Sequence, residues 1–273
     1  MEVATIILNR NLPDVTDRLY ESIARNNQGE TDIFVVESGS ERDKLSQYCT
    51  YWANWEESLN NGLRYARGFN YGLTKLFEEG KFKKYDYFFL LCNDSVFEEK
   101  PVISTLVGEM ELHPRVGILS PCSEEWGERK LLKNDETKYF WYVNHVSWFV
   151  RREYIESIME VESPTYMNFL YDGENFRGYE SDIELVAKGY ANDWASAITT
   201  KVKVAEDENL LYTQFEAMKT DGYQANREKL IAEGKKWIRR KYGFNSRWTM
   251  QMYAKFFYDY FFEYYPQLVR YRL

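Results

Sequence analysis

The sequence predicts an α/β protein with a mixed, mostly parallel sheet, followed by a helical segment. Three observations carry that expectation. Short β-branched or aromatic runs alternate with amphipathic runs as far as residue 120, an aromatic stretch at 139–150 breaks the alternation, and strand signals stop from about Tyr212.

"VATIIL" (3–8) reads as the first strand, and Val15, Leu19 and Ile23 then share one face of a helix over 14–26. "DIFVVES" (32–38) is the next strand, and strand, helix, strand in that order implies parallel pairing. Residues 62–79 fit a helix through Leu63, Ala66, Leu73, Leu76 and Phe77, closed by Gly80. "YDYFFLL" (85–91) is a strand running into "CNDS"; a helix over 101–112 starts on Pro101 and gives way to strand "VGILS". "YFWYVNHVSWFV" (139–150) supplies one or two strands that lie antiparallel to the rest, which makes the sheet mixed, and a helix over 151–160 follows. The last helical stretch, 250–265, carries Lys255, Asp259 and Glu263 as one polar stripe on an apolar cylinder. That pattern suits packing on the domain or on a second copy better than a membrane surface. No repeat, low-complexity tract or Gly/Ser linker divides the chain, so the expected organisation is a main domain over 1–211 and a helical extension over 212–273.

At 273 residues the chain can bury one large core. Its net charge of −8 argues against nucleic-acid backbone as the main partner. Cys49, Cys92 and Cys122 lack metal or disulfide spacing, and only His113 and His145 offer imidazole. With no secretion signal and no uncharged run long enough to span a bilayer, the expected location is the cytosol, at most peripheral to a membrane.

Chemistry is expected beyond the carboxyl ends of the parallel strands. Those ends deliver Asn9-Arg10, Glu37-Ser38-Gly39-Ser40 and Asn93-Asp94-Ser95. Further along, "FRGYESDIELVAKGY" (176–190) gathers Glu180, Asp182 and Glu184 before a helix. Ser181 and Glu184 have the spacing of a capping box, which leaves Glu180 and Asp182 without a structural reason.

In order, "IILNR", "VVESGS", "NNGLRYARGFNYGL", "YFFLLCNDSV", "VSWFVRREYIESI" and "GYESDIELVAKGY" resemble a family-two glycosyltransferase of the A-type (GT-A) fold, near its rhamnosyltransferase-like branch, over roughly residues 3–206. The resemblance implies a Rossmann-like α/β/α sandwich. It places Glu37 at the nucleotide-contacting acid and Asn61, Gly62, Gly68, Asn70 and Gly72 in the glycine-rich segment, with Ser38 and Arg67 alongside. Asp94 falls on the metal-reaching acid of a DxD-like motif whose first acid is Cys92 here, and Asp182 falls on the general base, with Glu180 in reserve. Many relatives complete the metal site with a His where this chain has "VAEDE", so Glu206 and Asp207 are the candidate oxygen ligands for Mn²⁺ or Mg²⁺. Trp126, Trp141 and His145 lie where such enzymes build the acceptor side, whereas Trp148 alternates with apolar neighbours and reads as core.

The function so implied is inverting transfer of a hexosyl or pentosyl group from a nucleotide-diphosphate sugar to a hydroxyl of a glycan or lipid-linked glycan. Two alternatives stand beside it: a non-catalytic nucleotide- or glycan-binding protein with a degenerate donor site, and a transferase acting on modified nucleic-acid bases.

Overall fold

The structure is a computed structural model that describes all residues except Trp126 and Glu208, and all side chains but theirs and that of Leu211. Strand β1 (Val3–Asn9) is buried at every position, as its near-continuous apolar run, interrupted by Thr5, requires of a parallel strand covered on both faces. Helix α1 (Pro13–Asn26) leads to β2 (Asp32–Glu37) and β3 (Cys49–Trp52). The helix expected over 62–79 is α3 (Arg64–Glu78), and a short helix not expected from the sequence, α2 (Glu56–Asn61), precedes it and ends at Gly62, whose φ of 69° only glycine adopts freely. A Cβ at Gly72 would lie 3.0 Å from Val36 and 3.1 Å from Ile6, so α3 rests almost directly on β1 and β2.

Next come β4 (Tyr87–Cys92), β5 (Ser95–Phe97), α4 (Ile103–Leu112) and β6 (Val116–Ser123). The aromatic stretch contributes to two short strands, β7 (Thr137–Tyr139) and β8 (Ser147–Arg151), and α5 (Arg152–Ile158), α6 (Ser181–Ala191) and β9 (Ala195–Glu206) complete the sheet-forming part. Among the described residues the sheet order is β3-β2-β1-β4-β8-β6-β9-β5, with β7 attached to β9. β8 runs antiparallel between β4 and β6, and β5 and β7 run antiparallel to β9, while the remaining pairings are parallel.

This topology selects one edge. Asn9 pairs with Glu37, and Leu8 with Cys92, so β1, β2 and β4 end side by side. β8 is antiparallel, with Ser147 opposite Leu91, so residues 144–146 enter from that same edge. Helix α6 precedes a parallel strand and runs back along the sheet, which brings its N-terminus to the carboxyl edge too.

The extension begins with α7 (Asn209–Thr213) and continues as α8 (Tyr223–Tyr242) and α9 (Arg247–Tyr264). It is packed on the sheet-forming part. Met250 and Ala254 of α9 are buried with Ile183 and Ala187 of α6, and the Trp237 indole of α8 donates to Asp172 at 2.9 Å. The polar stripe is present, with Lys255 and Asp259 2.5 Å apart, but the rest of α9 is not uniformly covered: Tyr253, Phe256, Tyr260 and Tyr264 are exposed. No described helix is long and apolar enough to cross a membrane.

Candidate active site

The ends of β1, β2 and β4 line a cavity of about 270 Å³, together with the start of α3, Arg177 and residues 218–230 of the extension. Asn9, Arg10, Ser38, Asn93 and Asp94 all face it. Each is positioned by the loops it terminates. The Asn9 amide donates to Glu37 at 2.9 Å and its oxygen accepts from the Leu12 N–H at 3.1 Å; the Asn93 amide reaches Thr16 at 3.1 Å; the Ser38 hydroxyl accepts from the Leu63 N–H at 2.9 Å.

Four other residues expected at the nucleotide lie outside this lining. Glu37 is fully buried, with its carboxylate taken by Asn9, by the Ser40 hydroxyl at 2.5 Å and by the Ser46 N–H at 2.7 Å; burial pushes its pKa up against those bonds. Its oxygens hold the loop after β2 closed. Asn70 is likewise buried, donating to the carbonyls of Tyr166 and Tyr171 and accepting from the N–H groups of Leu170 and Tyr171, so it clamps the loop around residues 166–171. Arg67 donates to the Gly173 carbonyl at 2.7 Å and lies over the Phe176 ring, and Asn61 is exposed at the end of α2. Polar groups near a motif are drawn to the nearest unsatisfied backbone, and here that backbone belongs to the protein.

At the far side of the cavity, pairing of β5 with β9 sets Ser95 opposite Glu206, and the Asp207 N–H donates to the Asp94 carbonyl at 2.9 Å. Burial, then the charges of Glu206 and Asp207, raise the Asp94 pKa to about 6, against a bond from its own N–H. The three predicted oxygen donors are therefore neighbours. Among the described residues no three His, Cys, Asp or Glu side chains converge as a complete ligand set. Such a donor set fits a hard divalent cation of the Mg²⁺ type, which takes one or two carboxylates and completes its shell with substrate phosphate and water. Cys92, in place of an acid, has its thiol pKa pushed well up by burial and by Asp94.

The start of α6 departs from the capping box. Glu180, not Ser181, precedes the helix, in a left-handed conformation with φ 61°, and Ser181 is the first helical residue, its hydroxyl donating to the Gly178 carbonyl at 2.7 Å. Glu184 does not reach back to the cap, because Lys241 at 2.7 Å and the Tyr242 hydroxyl from α8 hold it. Glu180 is 6% exposed and pairs with the Arg247 Nε of α9 at 2.7 Å. Burial, then the charge of Asp182, raise its pKa to about 7, opposed by Arg247. Burial also raises Asp182 to about 6, opposed by the N–H groups of Ile183 and Asp182 and by Arg247. Both carboxyls titrate in the range useful to a general base at neutral pH.

Tyr65 joins the two sides. It lines the cavity, its hydroxyl donates to the Gly178 carbonyl at 2.6 Å and touches Ser181, and Asp182, Cys92 and Glu180 all act on it by charge after burial. His145 stands beside it, ring centroids 4.9 Å apart, with Trp148 at 4.3 Å and a hydrogen bond to Tyr171. Burial lowers its pKa to about 4, so it is a neutral imidazole at physiological pH. Trp148 is fully buried core, Trp141 packs half-buried against the α6–α9 contact, and Trp126 lies outside the described residues.

Four residues of this region carried no signal in the sequence reading: Arg64, Arg177, Asp221 and Arg247. Each is a single charged residue in a surface-like pattern. Only the "RYARG" context of Arg64, inside the glycine-rich segment, offered a hint.

Comparison with protein-family models and with curated proteins gives no match. Solved structures do align. Residues 1–349 of TarS from S. aureus match at 12% identity and a TM-score of 0.52, over 89% of this chain and 73% of that one. GalNAc-T7, solved with UDP, GalNAc and Mn²⁺, matches at 11% identity and a TM-score of 0.55, over 89% of this chain and 56% of that one, so this chain spans little more than half its length. With the sheet order described above, the protein has the GT-A fold, a Rossmann-like α/β/α sandwich on a mostly parallel sheet.

Proposed function

We propose that the protein is an inverting glycosyltransferase that moves a hexosyl or pentosyl group from a nucleotide-diphosphate sugar to a hydroxyl acceptor, a glycan or lipid-linked glycan, and that it belongs near the rhamnosyltransferase-like branch of family two. The observation that carries this reading is Tyr65, which lines the Asp94 cavity while its hydroxyl donates to the Gly178 carbonyl and meets Ser181, the residue between the raised carboxyls of Glu180 and Asp182. TarS, similar in fold, is solved with UDP-GlcNAc, and GalNAc-T7 with UDP, GalNAc and Mn²⁺, which supports a nucleotide donor.

In the proposed reaction the acceptor hydroxyl gives its proton to Asp182 as its oxygen forms a bond to the anomeric carbon. The bond from that carbon to the diphosphate oxygen breaks on the opposite face and the diphosphate leaves with the electron pair, which inverts the centre. Asp182 is the better base, because Glu180 is committed to Arg247. Asp94, with Glu206 and Asp207 nearby, would be the residues to hold a divalent cation, whose chemistry there would be neutralisation of the leaving charge. Asn9, Ser38 and Asn93 offer polar contacts to the nucleotide, and His145 and Trp141 form the acceptor flank.

The reading is tested by incubating the protein with a panel of UDP- and GDP-sugars and glycan acceptors, with and without Mn²⁺. Acceptor-dependent release of nucleoside diphosphate, with the opposite anomeric configuration in the product by NMR, is expected. Nucleotide binding without any transfer across the panel points instead to the degenerate-site alternative.

Arg247 gives a pH signature. A cation favours the ionised form of a carboxyl, so Arg247→Gln raises the pKa of Glu180 and Asp182 and keeps the base protonated to higher pH. The acid limb of the kcat/KM profile is expected to move upward by about one pH unit. An unmoved limb removes Arg247 from the base environment.

A further inference from the structure

Three guanidinium groups, from Arg10, Arg64 and Arg177, line the cavity. The Arg10 group is spent on the fold: it donates to the carbonyls of Met218 at 2.6 Å, Ser38 at 3.1 Å, Ser58 at 3.3 Å and Asn60 at 3.4 Å. The other two are not. Among the described residues the Nε atoms of Arg64 and Arg177 are shut off from water with no hydrogen-bond partner.

Arg177 is only 10% exposed, yet among the described residues its ion pairs come from the extension: Asp221 at 3.0 Å and, beyond hydrogen-bond reach of Nε, Glu233 at 3.6 Å. The same two acids are the ones that act by charge on Arg64, whose guanidinium is destabilised by burial and by Arg177. Both guanidinium groups lie near the Phe176 ring, at 5.7 Å and 5.9 Å from its centroid. Asp221 is further shared with Lys229 at 2.6 Å. Two guanidinium groups whose Nε atoms lack partners, chiefly served by one carboxylate, suit an anion with more charge and more acceptor oxygens than a carboxylate has. The space agrees with this: about 270 Å³ is below the roughly 300–1,000 Å³ typical of small-molecule sites, and Asp221 lines it.

We propose that Arg64 and Arg177 bind the diphosphate of a nucleotide donor, and that Asp221 holds that place in the free protein and is displaced when the donor enters. The inference rests on the donor reading given under Proposed function. It adds an exchange: one carboxylate leaves the arginine pair, and a diphosphate takes its place.

The test is calorimetric titration of the full chain with inorganic pyrophosphate and with UDP, in EDTA so that no divalent cation contributes. Arg64→Gln and Arg177→Gln are each expected to weaken binding about tenfold or more, as expected for losing a hydrogen bond to a charged group. Asp221→Asn, which removes the internal competitor and keeps its shape, is expected to tighten binding by about threefold to tenfold. Arg177→Lys keeps the charge toward Asp221, guards against a folding defect, and is expected to fall between wild type and Arg177→Gln. Unchanged affinity in both glutamine variants overturns the arginine site, and unchanged or weaker affinity in Asp221→Asn overturns the displacement. Arginine-dependent pyrophosphate binding in a protein that transfers no sugar sinks the transferase reading alone. Sugar transfer with wild-type diphosphate affinity in Arg177→Gln sinks this inference alone.

Discussion

Asp182→Asn is expected to lower sugar transfer by about 10²- to 10⁴-fold, the usual share of a general base, while nucleotide binding is retained and the melting temperature rises. Binding is expected to be retained because Asp182 is not among the residues lining the cavity proposed for the donor. The gain in stability follows from linkage. Burial holds the Asp182 carboxyl at about 6, some two units above an ordinary aspartate, so the folded state binds its proton more tightly than the unfolded chain does. The ionised side chain thus costs on the order of 2–3 kcal/mol at neutral pH. That cost is absent below pH 4, grows as pH rises through 6 and is complete above it, so the variant should gain several degrees at pH 7.5 and little at pH 4. Scanning calorimetry at the two pH values, beside single-turnover transfer, measures both halves. Wild-type transfer by the variant, or loss of nucleotide binding along with activity, would remove Asp182 from the role of base.

Gly39→Ala is expected to be the most damaging single methyl group near the site. Gly39 has φ +80°, and a Cβ there would sit 1.8 Å from the Ser58 carbonyl oxygen and 2.5 Å from its carbon. The obstacle is backbone, so no rotamer change relieves it. That same oxygen accepts from the Gly62 N–H at 2.8 Å and from Arg10 at 3.3 Å, and Arg10 also donates to the Ser38 and Met218 carbonyls, which ties the loop after β2 to the break between α2 and α3 and to the extension. Left-handed strain of about 1 kcal/mol adds to the displacement, and a loss of about 3 kcal/mol or more is expected in urea unfolding. A midpoint equal to wild type would mean that α2 can shift away from β2 freely.

The alternating part of the fold was legible because its signals are long. Val3–Leu8, apolar but for Thr5, and Tyr87–Cys92 are sustained buried runs, and α3 places Ala66, Leu73 and Leu76 on one face. Cys49–Trp52 and Ser95–Phe97 were not legible, since strands of three or four residues are fixed by pairing with β2 and β9 rather than by composition. At the site, strand-end residues such as Asn9, Ser38 and Asp94 could be read from position alone. The capping box at Ser181–Glu184 misled, because Lys241 and Tyr242, more than fifty residues later, compete for Glu184 and win. Asn70 misled in another way: a motif identifies a conformation as readily as a ligand contact, and its four bonds to residues 166–171 show which it serves here. Arg64, Arg177 and Asp221 meet only through tertiary convergence, and no local pattern could announce them.

The position of β4 between β1 and β8 also governs the order of events during synthesis. β1 is already available when Tyr87–Cys92 emerges, but β8 starts at Ser147, about 55 residues later, or roughly 3–11 s at typical translation rates. For that interval Phe88, Phe89, Leu90 and Leu91 form an open, unpaired strand edge, the kind that recruits other nascent chains. Yield of soluble protein should therefore depend on chaperones that shield emerging polypeptide, and slower elongation between codons 93 and 146 would lengthen the exposure.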